Sequence, residues 1–213
     1  MNRKHHLNTP AIGCILLCYN IINMALVQVD ISSYDNFKSA TLGNGFDIDS
    51  SAGFQCWDYG ALLWGNIGRY GHAGVPYNYP YLSTGGTGYA YGIWNARIEN
   101  ATNQFDLIFN LADVKKGDMI ILDKGRYQGD VSGHNAFADE DYNGTTTMRL
   151  LGQNQENPNP TTGHVVTLDS MNVSKFLGAF RFKQWESSPT PYYPAKRKFP
   201  FYLYSEKWRN YGR

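Results

Sequence analysis

Gly53-Phe54-Gln55-Cys56-Trp57-Asp58-Tyr59-Gly60 runs directly into Ala61, Leu62, Leu63 and Trp64, an apolar helical pattern with a single cysteine at its start. A thiol at a helix N-terminus feels the positive end of the backbone dipole, which favours the thiolate, and the thiolate is the form that attacks carbonyl carbons. Cys56 is therefore read as a nucleophile, against the plainer reading of a small buried hydrophobe. A thiol nucleophile needs a base, and the base has to come from elsewhere in the chain.

Downstream, Ser132-Gly133-His134-Asn135-Ala136-Phe137-Ala138 reads as a short strand entered through glycine. It follows Lys116-Gly117-Asp118-Met119-Ile120-Ile121-Leu122, a strand entered through a Lys-Gly-Asp turn. A histidine at the edge of such a strand can lie over the cysteine, take the thiol proton and return it to the leaving amine. A third strand, Met148-Arg149-Leu150-Leu151-Gly152-Gln153-Asn154-Gln155, ends in polar amides. Alternation places Gly152 and Asn154 on one face and Leu151 and Gln153 on the other, so Asn154 is expected to orient the imidazole of His134 through its second nitrogen. His164, in Thr162-Gly163-His164-Val165-Val166, also follows a glycine and rivals His134 as the base.

These segments, followed by Phe176-Leu177-Gly178-Ala179-Phe180-Arg181, stand in an order that resembles the CHAP domains of bacteriophage cell-wall lysins, which are papain-like cysteine amidohydrolases and peptidases. The resemblance covers roughly residues 34 to 187. It implies Cys56 as nucleophile and His134 as base, because the family's base precedes the Gln-Asn strand; His164 is then a surface strand residue. Many members carry a glutamate two residues before the asparagine, where this chain has Gly152, so the resemblance leaves the orienting role to Asn154 alone. The backbone N–H of Cys56, helped by Gln55, is expected to hold the oxyanion.

Upstream of the cysteine lies Asp47-Ile48-Asp49-Ser50-Ser51-Ala52-Gly53, with Asp58 beyond it. Alternating carboxylates with backbone carbonyls and a further aspartate supply hard oxygen ligands in the manner of a calcium loop. By resemblance to the calcium-binding lysins, Asp47, Asp49 and Asp58 are side-chain ligands of Ca2+ and the carbonyls of Ser51 and Gly53 complete the set. The alternative is a solvated acidic turn with an aspartate capping the helix. Gly85-Gly86-Thr87-Gly88 lacks the Lys-Ser/Thr and the preceding strand of a phosphate loop and reads as a turn.

The 213 residues carry a net charge of +1, which points away from nucleic acid as a partner, and 22 glycines with 15% aromatics, 16 of them tyrosine, describe a loop-rich fold containing β-structure. The cysteines Cys14, Cys18 and Cys56 form no disulfide framework, since two lie together in the apolar N-terminal run. That run, Ala11 to Val27, follows Arg3 and Lys4 and is broken by Asn20 and Asn23. It fits a signal peptide without a cleavage site, a poor membrane span, or an extension upstream of a start at Met24. Residues 1–32 are thus an N-terminal extension, 33–187 the catalytic domain, and 188–213 a tail marked by Pro189, Pro191, Pro194, Lys196-Arg197-Lys198 and Trp208. No stable membrane span is expected.

Helices are expected at Ser33–Ala40, Cys56 to about Ile67 and Gly92–Glu99, the last with Trp94 facing the core. Strands are expected at 119–122, 134–138, 148–154, 164–168 and 176–181. Helices first and an antiparallel sheet second make an α+β fold, with the cysteine helix packed on one face of the sheet; the resemblance adds that it is papain-like (NlpC/P60-type). The function expected is hydrolysis of an amide bond of bacterial peptidoglycan, as an amidase or as an endopeptidase, by a monomeric phage lysin released from the host cytoplasm to the wall at lysis or carried on the virion. The alternatives are a tail or host-surface binding protein on the same fold and a papain-like protease acting on proteins. A secreted enzyme follows if the N-terminal run is a signal peptide.

Overall fold

The computed structural model of the chain describes residues 27–69, 82–155 and 158–186, without the side chains of residues 68 and 69. The expectations that fall on 1–26, 70–81 and 187–213, including those on Cys14 and Cys18, lie outside the described residues.

Ser33 caps the first helix, α1 (Tyr34–Thr41): its backbone is extended and its side chain accepts the N–H of Asn36 at 3.1 Å. The second, α2 (Cys56–Arg69), carries Tyr59, Leu62, Leu63 and Ile67, a stripe spaced for one helical face, and all four are buried. Two short helices follow, α3 (Gly92–Asn95) and α4 (Arg97–Ala101), and a single turn, α5 (Lys183–Glu186), ends the described chain. Between them lie β1 (Phe105–Ile108), β2 (Met119–Leu122), β3 (His134–Ala138), β4 (Thr147–Gln153), β5 (Val166–Asn172) and β6 (Phe176–Phe182). They form one six-stranded sheet in the order β1-β6-β2-β3-β4-β5, antiparallel throughout.

The central strands β2 and β3 are buried at every residue, because both faces of the sheet are covered. On the helix side Phe37, Tyr59, Leu62, Leu63, Phe137, Leu151 and Phe180 form the larger core. Phe37, Tyr59 and Phe137 meet with ring centroids 5.2–5.3 Å apart, fixing α1 and α2 on β3. Ile120, Leu122, Ala136, Leu150, Val173 and Ala179 make a second core on the opposite face. Among the described residues no helix is long and apolar enough to cross a membrane.

The α+β arrangement and five of the six strands match the sequence reading in place, and Trp94 is buried against Phe180 as expected. Strand β1 was not foreseen. It is four residues long, has one apolar neighbour at each end of an exposed Asp106, and exists because its backbone pairs with β6. Strand β5 starts two residues later than expected and runs four residues further. Gly163, at φ +62°, instead makes an isolated parallel bridge with Phe54, and a Cβ there would strike the Phe54 carbonyl. Only glycine allows this approach.

Candidate active site

The N-terminus of α2 is built from three segments. Cys56 is the first helical residue, and Asp58 reaches back from the first turn so that its Oδ2 accepts the Gln55 N–H at 3.0 Å, the acidic half of a capping box. The other oxygen of Asp58 accepts the N–H of Ile48 at 2.8 Å, tying the acidic loop to the helix. From the sheet, Gln153 grips both flanks: its Oε1 accepts the Phe46 N–H at 2.9 Å, and its Nε2 donates to the carbonyls of Phe46 and Gln55 at 2.7 and 2.9 Å.

Register brings the histidine to the same place. Leu122 pairs with His134 and Ile121 with Asn135, so His134 opens β3 at the end of the sheet nearest the helix start. The Asn135 side chain donates to the Cys56 carbonyl at 2.9 Å. Its backbone N–H also faces the Cys56 thiol. His134 itself is buried, and its Nε2 has no hydrogen-bond partner.

Burial dominates the electrostatics of both groups. It pushes the Cys56 thiol above its ordinary value, while the Asn135 N–H and the Arg126 guanidinium act in the opposite direction. It pushes His134 down to about 3, with the Arg126 charge adding to the fall and Gln155 and Asp130 opposing it. At rest the Cys56 thiol and the His134 imidazole are thus both neutral. The helix dipole invoked from the sequence does not overcome the desolvation of the thiolate.

Arg126 was not singled out from the sequence. It sits in the loop between β2 and β3, where its Nε donates to Asp130 at 2.9 Å and an N–H donates to the Gly133 carbonyl at 3.1 Å, just before His134. Burial works to raise the Asp130 carboxyl, but the hydrogen bonds and charge of Arg126 leave it below the usual range. Asn135, Gln155 and Asp169 were missed as well. The legible signal for Arg126 and Asp130 was a charged stretch bounded by Gly125, Gly129 and Gly133; for the others there was none, since each acts through a contact with another element of the fold.

The expected partner of the imidazole is engaged elsewhere. Strand β4 ends at Gln153, and Asn154 takes a left-handed φ of +55°, which cancels the face alternation on which the expectation rested. Its Nδ2 donates to Gln55 Oε1 at 2.7 Å and to the Asn159 carbonyl at 3.1 Å, and its Oδ1 accepts the Asn159 N–H at 2.8 Å. The Gln55 side chain is held in turn by the carbonyls of Ala52 at 2.6 Å and Asn159 at 3.2 Å, so its donors face the loops. The N–H of Cys56, in the first helical turn, has no acceptor within the helix and remains suited to an oxyanion.

The structure also brings the acidic residues together. Asp47, Asp49 and Asp58 each offer an oxygen, all within 4.8 Å of one another. Burial, reinforced by the charge of Asp49, raises Asp58 to about 7, a sign of anionic crowding that a divalent cation relieves. Ser50 and Ala52 both take left-handed φ angles, 58° and 59°, which curl the loop around these oxygens. The Ser51 N–H donates to Asp49 at 2.8 Å and the Gly53 carbonyl accepts from Gln55 at 2.9 Å, so the carboxylates are the donor set best arranged for a hard ion. A groove of about 450 Å³ runs past this loop, lined by Asp49, Gln55, Trp57, Thr84 and Gly88, and flanks Cys56. A second, of about 510 Å³, lies away from the chemistry around Tyr34 and Arg181. His164 is exposed and enters the site only through its backbone, accepting the Asn154 N–H at 3.2 Å.

No family model matches the chain. Over 93 residues it is 36% identical to a D-alanyl-L-alanine endopeptidase of Streptococcus phage B30, a match that spans 43% of this chain and 18% of that protein. Among solved structures, the wild-type endolysin LysIME-EF1 shares the fold with a TM-score of 0.52 at 23% identity, covering 72% of this chain and 64% of that one. The structure of Ly7917 aligns with a TM-score of 0.40 at 18% identity, over 68% of this chain and 59% of that one.

Proposed function

We propose that this chain is a cysteine-dependent peptidoglycan hydrolase of the papain-like CHAP type, acting as a phage lysin on an amide bond of the bacterial wall. The observation that carries the reading is the meeting of the Cys56 helix start with the buried His134 through Asn135. The endolysin fold and the phage endopeptidase relative support it. The relative's name favours a peptide bond between D-alanine and L-alanine over the muramoyl-alanine amide.

In this mechanism the neutral imidazole of His134 takes the thiol proton as Cys56 Sγ attacks the carbonyl carbon, so that the sulfur–carbon bond forms without a free thiolate standing in the resting site. The oxyanion is received by the first-turn N–H of Cys56. The imidazolium then gives its proton to the departing amine, and the same imidazole activates water to release the acyl group. Gln55 and Asn154 act together here, each holding the other and the Asn159 loop beside the nucleophile. The carboxylates of Asp47, Asp49 and Asp58 would hold calcium. Bound there, the ion supplies charge neutralisation that fixes the loop leading into Cys56.

Wall digestion by the intact chain, followed by mass spectrometry of the released muropeptides, identifies the bond. Cys56→Ala is expected to abolish lysis with little change in thermal unfolding, and lysis that survives this substitution defeats the mechanism. A binding protein on the same fold would hold to walls and release nothing.

A further inference from the structure

We propose that Gln155, held by Asp169, is the residue that orients the His134 imidazole, its carboxamide occupying the space that a side chain on residue 152 would fill. The proposal rests on the assignment of His134 as the base and supplies the orienting group that Asn154 does not provide.

The turn at Asn154 folds Gln155 back over the end of β4. Its Nε2 donates to the carbonyls of Leu150 and Thr167, both at 3.0 Å, and to Asp169 Oδ2 at 3.1 Å. Three acceptors around one end of the amide decide which end is nitrogen. The Thr167 hydroxyl donates to the same oxygen of Asp169 and keeps that carboxylate facing the amide. The amide is therefore rigid, and its Oε1 is directed away from these groups.

That oxygen is buried and lacks a completed hydrogen bond, as does His134 Nε2. Buried polar atoms without partners are rare, and here an acceptor and a ring nitrogen able to donate are both left over. Gln155 acts on His134 as a hydrogen-bonding neighbour does, opposing the fall in its pKa. A proton on Nε2, directed at Gln155, leaves the lone pair on Nδ1 to accept the thiol proton.

Gly152 leaves the space that this amide fills. A Cβ at this position would lie 2.7 Å from Gln155 Oε1, 2.9 Å from its Cδ and 2.8 Å from the Ala136 Cβ. A side chain at 152 and the Gln155 amide exclude each other, so the glycine makes room for a group arriving from three residues later. The carboxylate is present after all, one step further back, as Asp169 on the neighbouring strand β5.

The test uses the full chain and two readouts. In a Cys56→Ala background, nitrogen-15 shifts of the imidazole report the tautomer of His134 directly, and neutral Nε2–H is expected. Finding the proton on Nδ1 overturns the proposal, and this measurement needs no change at Gln155. Gln155→Leu, in the active enzyme, is expected to lower kcat about 10- to 100-fold, part of what general-base catalysis contributes, with KM within about two-fold. In the Cys56→Ala background it is expected to give a mixture of tautomers. Asn154→Ala is expected to leave the tautomer unchanged. A Gln155→Leu enzyme with unchanged kcat, or an unchanged tautomer, refutes the role. Should Cys56→Ala retain lysis, the hydrolase mechanism fails, and the tautomer result still reports on the Gln155 contact by itself.

Discussion

Gln153→Met removes three hydrogen bonds at a fully buried position while keeping side-chain length and volume. The Phe46 N–H loses its acceptor at 2.9 Å, and the carbonyls of Phe46 and Gln55 lose their donor at 2.7 and 2.9 Å. The two Phe46 groups stay buried without partners, at about 1–3 kcal/mol each, whereas the Gln55 carbonyl is partly exposed and regains water for a smaller loss of about 0.5 kcal/mol. The total is about 4 kcal/mol, a large share of the 5–15 kcal/mol that holds a typical domain together. At 2–4 °C per kcal/mol for a chain of this size, the melting temperature is expected to fall by roughly 12 °C. Calorimetry on wild type and variant measures it directly. Phe46 and Gln55 stand on either side of the acidic loop, so wall lysis by the variant is also expected to require more calcium. A fall of under about 3 °C would mean that water replaces these bonds at no cost, and the account of how β4 anchors the helix start would be wrong.

His134→Ala is expected to cost about as much activity as loss of Cys56, because members of one catalytic unit do not act additively, whereas His164→Ala is expected to be nearly silent; the reverse in a wall-lysis assay would exchange their roles. EGTA is expected to lower both melting temperature and activity and calcium to restore them, since an ion that binds only the folded state stabilises it by mass action, and Asp47→Ala or Asp49→Ala should abolish the response; melting curves indifferent to chelator and substitution return the loop to an acidic turn. Acid stability carries the mark of the buried imidazole. With His134 at about 3 in the folded chain and about 6.5 unfolded, the unfolded state binds more protons between these values, so stability is lost as pH falls through that window. From pH 6.5 to 5 the loss from this group approaches about 2 kcal/mol, and urea titrations should show His134→Ala lacking it; equal pH slopes in the two proteins would contradict the burial of a neutral imidazole.

The parts of this site that are legible in sequence are those set by local periodicity. The α2 stripe of Tyr59, Leu62, Leu63 and Ile67 repeats every three or four residues, and β2 and β3 are short apolar runs bounded by Gly117 and Gly133. The acidic loop is likewise written in consecutive residues, and the structure draws its three aspartates together. What escaped detection depends on where an element stops. Alternation through Asn154 assumed one residue more of β4 than the chain forms, and the left-handed turn there moved Gln155 into the position sought for Asn154. The late start of β5 has a similar origin, since His164 and Val165 look like strand residues, but His164 donates its N–H to the Phe54 carbonyl beside the Phe54–Gly163 bridge. Gln155 and Asp169 are silent in sequence because their partners lie on other strands. The raised thiol also reflects tertiary burial, which no local dipole argument includes.

The seam between the acidic loop and the far end of the sheet has a consequence for synthesis. Asn44 and Phe54 exchange backbone hydrogen bonds with Val166, Thr162 and His164, and Gln153 reaches the same loop, all across more than a hundred residues of intervening chain. Contacts so distant in sequence close late, after local helices and hairpins have formed. The cysteine leaves the ribosome early, but the loop and helix start that position it have nothing to seal against until β5 follows. A translating cell therefore holds nascent chains that carry Cys56 and lack the frame around it, and a product truncated before β5 is expected to be inert rather than partly active.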